Sequence, residues 1–133
     1  NNPHAAVAVV LMQDNKILVY KRARDPRKGT YDLPGGFLEF GEDPLDAVVR
    51  EIKEETSLDI DKKDLEFLSS YTGPYRENES VIDVVIQAKK WQGTITPTDD
   101  SEELVWKPLS FLDTKEFSAP YTTLREILEA KHV

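Results

Sequence analysis

The stretch "LPGGFLEFGEDPLDAVVREIKEETSL", residues 33–58, decides how the rest of the chain is interpreted. It begins near a double glycine and ends in a segment with three glutamates, Glu51, Glu54 and Glu55. Like charges at helical spacing repel one another, so these carboxylates need either solvent or cations around them. The need is sharper because the whole chain is acidic, with a formal net charge of −8.

Composition restricts the class of protein. A chain of 133 residues with 39% hydrophobic and 32% charged residues predicts one folded domain over 1–133. The negative charge disfavours nucleic acid and anionic membranes as partners. There is no cysteine, which excludes disulfides and cysteine-bound metals and suits a cytoplasmic location. The sequence shows no membrane span or signal peptide, and its start without methionine is compatible with a missing upstream segment.

Hydrophobic patterning predicts mixed secondary structure on both sides of this stretch. Extended segments are predicted at 5–12, 16–22, 31–34, 65–72, 81–91 and 103–109. The first of these is a continuous apolar run, which is typical of a strand buried on both faces. A closing helix is predicted over 120–131. Because strands and helices are interspersed, we expect an α+β fold with a mixed β-sheet sandwiched between helices.

The central stretch itself carries clear helix signals. Asp43 is suited to the N-cap and Pro44 to the first helical position. Apolar residues then recur at helical spacing, on a stripe centred on Leu45 and Ile52. The pattern predicts a helix over 44–57 with one face in the core.

The glutamates form a second face of this predicted helix. At about 100° per residue, Glu51 and Glu55 lie together beside the apolar stripe, with Glu54 just outside them and Arg50 beyond. One interpretation is a solvated helix face, since glutamate is a good helix former. The other is a site for hard divalent cations, which prefer oxygen ligands. Bound metal would remove the repulsion and let an acidic surface accept phosphate.

Two upstream features add to the metal interpretation. Gly35 and Gly36 allow the main chain to approach a ligand closely, although a double glycine also suits an ordinary turn. Glu42 is placed to pair with Arg50 and hold the preceding loop against the helix. Alternatively, Glu42 is a helix-start carboxylate stabilised by the macrodipole.

Residues 36–58 resemble the Nudix box, in which glycine, glutamate and an Arg-Glu-x-x-Glu-Glu run recur at fixed spacing. The matching positions are Gly36, Glu42, Arg50, Glu51, Ile52, Glu54, Glu55 and Leu58. Ser57 departs from the pattern, because the family has glycine there. That position ends the helix in a left-handed turn, which serine should tolerate at a cost below about 1 kcal/mol. The resemblance implies a Nudix fold across nearly the whole chain.

The resemblance also implies an activity. Nudix enzymes hydrolyse a phosphoanhydride bond in a nucleoside diphosphate linked to another moiety, using Mg²⁺ or Mn²⁺. Carried over by position, Glu51 and Glu55 are the principal metal ligands, and Glu54 is a further ligand or the base. The Gly36 carbonyl completes the metal shell, and Arg50 orients the carboxylates. Within the box, the resemblance therefore implies catalytic roles for Glu54, Glu55 and Arg50, and structural roles for Gly35 and Glu42 beside it.

The general base varies within the family, and a later acidic loop is a second source for it. The run "TDDSEE", residues 98–103, offers several carboxylates. Glu102 is the candidate, because it lies shortly before Trp106, where related chains carry an acidic residue. A solvent-exposed loop is the alternative for this run.

Candidate substrate-binding residues lie before, within and after the box. The basic segment that includes Arg22, Arg24, Arg27 and Lys28 leads into the glycines. From it we select Arg22, at a strand end, and Arg24 as partners for phosphate. Phe37 and Tyr75 are candidates for stacking on a base or sugar, although aromatic residues equally fill cores and loops.

Signals for the particular substrate conflict. Pro74 lies sixteen positions after Leu58, a spacing associated with ADP-ribose hydrolases. Tyr75 lies seventeen positions after it, which is associated with dinucleoside polyphosphate hydrolases. We therefore expect a pyrophosphohydrolase for a sugar- or nucleotide-linked diphosphate, with a homodimer as a further expectation. The alternative is a catalytically silent Nudix module that senses a nucleotide, which the complete set of box carboxylates disfavours.

Overall fold

A computed structural model of the chain describes residues 2–96, 103–119 and 121–131. Within these ranges there are eight strands and two α-helices. The strands are β1 (His4–Val10), β2 (Met12–Gln13), β3 (Lys16–Lys21), β4 (Tyr31–Asp32), β5 (Gly35–Phe37), β6 (Leu65–Pro74), β7 (Ser80–Ala88) and β8 (Leu104–Pro108). The helices are α1 (Pro44–Thr56) and α2 (Leu124–Lys131), and 3-10 turns lie at Lys62–Asp64 and Leu109–Asp113.

The described strands form two sheets. In the first, the order is β5-β1-β7-β6, and β1 runs parallel to β7 while the other pairs are antiparallel. In the second, β3 pairs antiparallel with β2, β4 and β8. The α+β class is as predicted, but the apolar run 5–12 supplies both sheets. The reason is a break at Leu11, after which Met12–Gln13 folds back on β3 through a turn.

β1 lies at the centre of the core. Val7 and Val9 belong to the hydrophobic cluster that holds Ile52 of α1. Ala8 and Val10 belong to the opposite cluster, which lies under α2. Alternate side chains of a strand point to opposite faces, so β1 is buried on both sides, as its continuous apolar sequence predicts.

α1 begins and ends as the sequence indicates. The Asp43 side chain accepts a hydrogen bond from the Leu45 N–H at 2.8 Å and caps the helix, with proline in the first position. At the other end Ser57 has φ 70°, and its N–H donates to the Lys53 carbonyl at 3.0 Å. Serine therefore adopts the left-handed conformation that glycine has elsewhere in the family. The helix ends at Thr56, one residue before the predicted end.

Several predicted boundaries differ at their ends. β7 stops at Ala88, three residues before the predicted end, because its partner β6 begins only at Leu65, which lies opposite Ala88. α2 begins at Leu124, because the residues before it form a turn closed by the bond from the Leu124 N–H to the Tyr121 carbonyl. Helical spacing of apolar residues does not distinguish such a turn from a first helical turn.

The double glycine is also part of a strand. Gly35–Phe37 pairs with β1, with Gly36 opposite Val7 and Gly35 opposite Ala8. The sequence suggested a turn or a ligand loop here.

None of the helices within the described ranges combines the length and apolar character needed to cross a membrane.

Candidate active site

The two glycines of β5 each accommodate one carboxylate of α1. A Cβ added to Gly36 would lie 2.5 Å from the Glu51 carboxyl carbon, so only glycine lets that side chain rest against the strand. A Cβ added to Gly35 would collide with the Val7 carbonyl oxygen. The Gly35 N–H donates to Glu55 Oε1 at 3.2 Å. Strand pairing with β1 thus places the glycines where they hold Glu51 and Glu55.

Arg50 connects the helix to the loop before it. Its Nε and Nη2 donate to the two carboxylate oxygens of Glu42 at 2.9 and 2.8 Å, and Nη2 also donates to the Phe37 carbonyl at 3.1 Å. The remaining nitrogen, Nη1, donates to Glu51 Oε1 at 2.8 Å. Hydrogen bonding to Arg50 lowers the pKa of Glu42 to about 2. The structure thus contains the Glu42–Arg50 pair, and the same guanidinium fixes Glu51.

Glu55 lies in the most unusual electrostatic environment of the site. Its pKa is raised to about 9, first by burial and then by a hydrogen bond to Glu51 and by that residue's negative charge. In the metal-free protein at neutral pH, the pair formed by Glu51 and Glu55 therefore favours keeping one proton. The repulsion expected from the sequence is relieved locally by this proton and by Arg50.

Glu54 stands apart from this pair. Its side chain is 61% exposed, and its nearest cation is Arg50 Nη1 at 3.8 Å. Among the described residues, no group of three or more histidine, cysteine, aspartate or glutamate side chains is already arranged as a metal centre. The structure thus brings together Glu51, Glu55 and Gly36 from the predicted ligand set, and it leaves Glu54 at the edge.

These residues fit a divalent metal in their chemistry. The donors of Glu51, Glu55 and the Gly36 main chain are all oxygens, which Mg²⁺ and Mn²⁺ prefer. Metal binding requires deprotonated ligands. A cation bound between the two carboxylates would therefore replace the proton that they share. Gly36 keeps that space free of a side chain.

A cavity of about 220 Å³ opens beside the glycines, between the two sheets. Its lining includes Arg22, Arg27, Asp32, Phe37, Tyr75 and Asp83. It thus joins the glycine end of the site to both aromatic candidates and to one of the two arginines that the sequence analysis selected.

The aromatic candidates lie together at the mouth of this cavity. The rings of Phe37 and Tyr75 are 5.3 Å apart and nearly perpendicular, and Phe37 is 42% exposed. His4 completes the group, at 5.5 Å from the Phe37 ring and 5.8 Å from the Tyr75 ring. Its Nε2 lies 2.7 Å from the Glu79 carboxylate. The sequence analysis missed His4, which has no motif around it.

The predicted arginines have different positions. Arg22 lines the cavity, where its Nε donates to the Pro26 carbonyl at 2.7 Å and its Nη1 lies 3.6 Å from Asp32 Oδ2. Arg24 is exposed and lines a separate, shallower cavity with Arg22 and Tyr20, so its role in binding substrate stays a prediction.

Arg27 is the second arginine of the main cavity, although the sequence analysis did not select it. Its backbone has φ 62°, and its Nη2 lies 4.0 Å from Asp32 Oδ2. The carboxyl of Asp32 is buried and accepts the Leu33 N–H at 2.7 Å. Burial raises the pKa of Asp32 to about 6. A left-handed arginine has no sequence signal that sets it apart from Arg24.

Glu102, the candidate base from the later acidic run, lies outside the described residues, and its role stays a prediction. The neighbouring Glu103 is described and accepts a hydrogen bond from the Tyr31 hydroxyl at 3.0 Å.

Comparison with known proteins agrees with the class of site that this geometry defines. The family model described as NUDIX domain matches residues 2–129, so the chain belongs to the Nudix family. An ADP-ribose pyrophosphatase from Methanocaldococcus jannaschii is 43% identical over 86% of this chain. The chain spans 68% of that relative's length, and 61% or less of several further relatives.

Solved structures show the same fold. A MutT NUDIX hydrolase from Burkholderia pseudomallei superposes with a TM-score of 0.78 at 28% identity, over 97% of this chain and 98% of that one. The NUDIX domain of Shewanella oneidensis NrtR, solved in complex with ADP ribose, has a TM-score of 0.78 at 20% identity, over 100% of this chain and 90% of that one. The second likeness concerns the fold alone. The predicted family, fold and hydrolase class are confirmed.

Proposed function

We propose that this protein hydrolyses the phosphoanhydride bond of a nucleoside diphosphate linked to a sugar, with ADP-ribose as the first candidate, and that it needs a divalent metal. The observation that supports this most is that Gly35 and Gly36 contact the carboxylates of α1 and also line a cavity that contains arginine and aromatic residues. The name of the 43% identical relative favours ADP-ribose within this substrate class.

Glu51, Glu55 and the Gly36 carbonyl would hold the metal, Mg²⁺ or Mn²⁺. When bound, such a metal neutralises phosphate oxygens and lowers the pKa of an attacking water. All remaining roles fall to the chain's own groups. Arg50 keeps Glu51 in place through the 2.8 Å bond. Through its bonds to Glu42 and to the Phe37 carbonyl, it also ties α1 to the end of β5 and to the loop that follows.

Proton removal from water requires a carboxylate that is free to accept it. Glu54 is exposed at the edge of the site, and its ion pair with Arg50, at 3.8 Å, is too long for a hydrogen bond, so its oxygens remain accessible. We therefore assign it as the first candidate base, with Glu102 as the second. A positioned base contributes about 10²–10⁴-fold to the rate.

The cavity supplies the substrate contacts. Arg22 lies at its wall and offers a cation to the diphosphate, as a guanidinium pairs well with phosphate oxygens. Phe37 and Tyr75 at its mouth offer faces and edges for the adenine ring. The spacings of Pro74 and Tyr75 gave conflicting substrate signals. The two residues are adjacent, at the end of β6 and directly after it, so both spacings point to the same part of the structure.

The test is product release from a panel of nucleotides, including ADP-ribose, dinucleoside polyphosphates and nucleoside triphosphates, with Mg²⁺, with Mn²⁺ and with EDTA. We expect AMP and ribose phosphate from ADP-ribose, no turnover in EDTA, and a loss of about 10²–10⁴-fold in kcat for Glu54→Gln. Glu66→Gln is the control, because Glu66 pairs with Lys131 on a different surface.

Binding of ADP-ribose without turnover in either metal would contradict the proposal and favour the nucleotide-sensing module. Retention of full activity in EDTA would contradict the metal requirement. A cytoplasmic location and a homodimer stay predictions.

A further inference from the structure

The inner end of the cavity holds charged groups that the roles above do not use. Arg27 and Asp83 line it from the 23–30 loop and from β7, and Tyr121 lines it from the segment before α2. Because Arg22 is assigned to the diphosphate, Arg27 and the carboxylates of Asp32 and Asp83 are the charged groups that remain. Such a surface offers no net attraction to an anion.

Arg27 has a hydrogen-bond donor with no acceptor. Its Nε is buried and has no partner among the described residues. Its other nitrogens lie 3.5 Å from the Pro74 carbonyl and 4.0 Å from Asp32, so they bridge the cavity from the loop to β6. At 3.5 and 4.0 Å these contacts are long, so the guanidinium keeps donor capacity for a ligand in the cavity that Arg27 lines.

Asp83 supplies the opposite function, an acceptor. Its carboxylate accepts a hydrogen bond from the Tyr121 hydroxyl, and burial raises its pKa above the usual range. An ionised carboxylate has about four lone-pair sites, so this one bond leaves capacity for further donors. Donor and acceptor groups therefore line the same cavity.

The ligand that fits must both donate and accept. Phosphate oxygens at neutral pH mainly accept, so they would satisfy Arg27 and oppose Asp83. A hydroxyl group donates to a carboxylate and accepts from a guanidinium, and a sugar carries several hydroxyls on adjacent carbons. We propose that Arg27, Asp83 and Tyr121 bind the hydroxyl groups of the sugar that the diphosphate carries. This assignment rests on the proposed function.

The size of the cavity agrees with this assignment. At about 220 Å³ it is smaller than the sites of about 300–1,000 Å³ that enclose drug-sized ligands. It therefore admits one part of the substrate, with the base at the aromatic mouth and the diphosphate along Gly35 and Gly36. The enzyme selects nucleoside diphosphates that carry a hydroxyl-rich group over nucleoside triphosphates, whose terminal phosphate would meet Asp83.

The experiment compares two substrates that differ only at this end. One is ADP-ribose, and the other is ADP esterified to a short alkyl alcohol without further hydroxyls, each assayed with Mg²⁺. Wild type should prefer ADP-ribose by at least about tenfold in kcat/KM. Asp83→Asn should reduce that preference about 10-fold, because the lost hydrogen bond is to a charged carboxylate. Tyr121→Phe should reduce it about 3-fold, because the lost bond is to a neutral hydroxyl. Both effects should appear mainly in the KM for ADP-ribose.

Asp59→Asn is the matched control, because Asp59 pairs with Lys53 at the surface and does not line the cavity. It should keep the wild-type preference. An equal loss of Asp83→Asn on both substrates would overturn the assignment, since a merely structural role predicts that result. Melting temperatures identify a variant that has failed to fold, and Tyr121→Phe, which keeps the ring, is then the deciding variant.

Failure of the proposed function gives a different result. If neither substrate is hydrolysed, equilibrium binding of ADP-ribose and of the alkyl ester to wild type and to Asp83→Asn decides the inference by itself. Tighter binding of ADP-ribose that is lost in the variant supports the sugar site without catalysis. Equal affinities of both ligands for wild type would overturn it.

Discussion

The carboxylate face of α1 and the inner end of the cavity both keep charged groups partly out of water, but they balance charge differently. Four glutamates, Glu39, Glu42, Glu51 and Glu54, lie within 3.8 Å of Arg50, and burial beside Glu51 raises the pKa of a fifth, Glu55. In the cavity, two arginines face two aspartates. The first region is short of positive charge and is suited to a cation. The second is neutral as a whole and is suited to an uncharged group.

The largest effect should separate two glutamates that touch the same arginine. Glu51→Gln should lower kcat by about 10²–10⁴-fold, because Glu51 is the carboxylate held between Gly36 and Glu55. Glu39 also lies 3.5 Å from Arg50 Nε, but its side chain is 68% exposed. Steady-state kinetics of Glu39→Gln should remain within about threefold of wild type. Similar losses of kcat in both variants would show that activity depends on negative charge near Arg50 and not on a metal bound at Glu51.

A second effect depends on space alone. Gly36→Ala should lower kcat by about 10²-fold, because its Cβ would displace the Glu51 carboxylate from the strand, and misplacement by about 1 Å has that effect. The melting temperature should stay close to that of wild type, because the added Cβ would clash with a side chain and not with the backbone. The prediction is wrong if activity survives with an intact fold.

A third effect concerns the link between the loop and α1. Glu42→Gln should reduce kcat by about 10- to 100-fold, because the bidentate bond that holds Arg50 is weakened. The folded-state pKa of Glu42, about 2, lies below its usual value, so the pair stabilises the fold fully above about pH 4.5. That stability is lost as the pH falls towards 2. Acid unfolding should therefore begin at higher pH in the variant, and unchanged acid unfolding would contradict the pairing.

A smaller effect should distinguish the two neighbouring arginines. Arg27→Gln should raise the KM for ADP-ribose about tenfold, because Arg27 lines the main cavity. Arg24→Gln should change KM by less than about threefold, because Arg24 is exposed and lines the separate cavity. The reverse order of effects would support the sequence-based choice of Arg24.

These two regions also differ in how far the sequence predicts them. The carboxylate face is local, because one helix and the loop before it supply Glu42, Arg50 and the other glutamates, so spacing alone places them. Even the Ser57 departure was interpreted correctly, since the left-handed turn is a property of one residue. The resemblance to the Nudix box supplied the roles. The structure supplied the burial that raises the pKa of Glu55 and the contact of Gly36 with Glu51.

The cavity was not predictable in the same way. Arg27, Asp83 and Tyr121 lie far apart in sequence and meet only because β1 pairs with β7 while β3 and β4 form a second sheet. None of the three belongs to a motif. Their roles depend on contacts between distant segments, which periodicity and spacing do not report.

The smallest effect is one of stability. A carboxyl with a folded-state pKa of about 9 binds its proton more tightly in the folded state than in the unfolded state, so stability falls as the pH rises from about 4.5 to 9. Asp32 contributes in the same direction only up to about pH 6. In EDTA, the melting temperature of wild type should therefore fall between pH 6.5 and 9, and Glu55→Gln should fall less. Equal slopes would contradict the raised pKa.

The most direct test of the central claim, that a cation takes the place of the proton between Glu51 and Glu55, is titration calorimetry of the metal-free protein with Mn²⁺ at pH 7. Two buffers with different ionisation enthalpies give the number of protons released. Our account predicts close to one proton per bound ion, and weaker binding without that release in Glu55→Gln. Binding by wild type with no proton release, or equal binding by the variant, would contradict it.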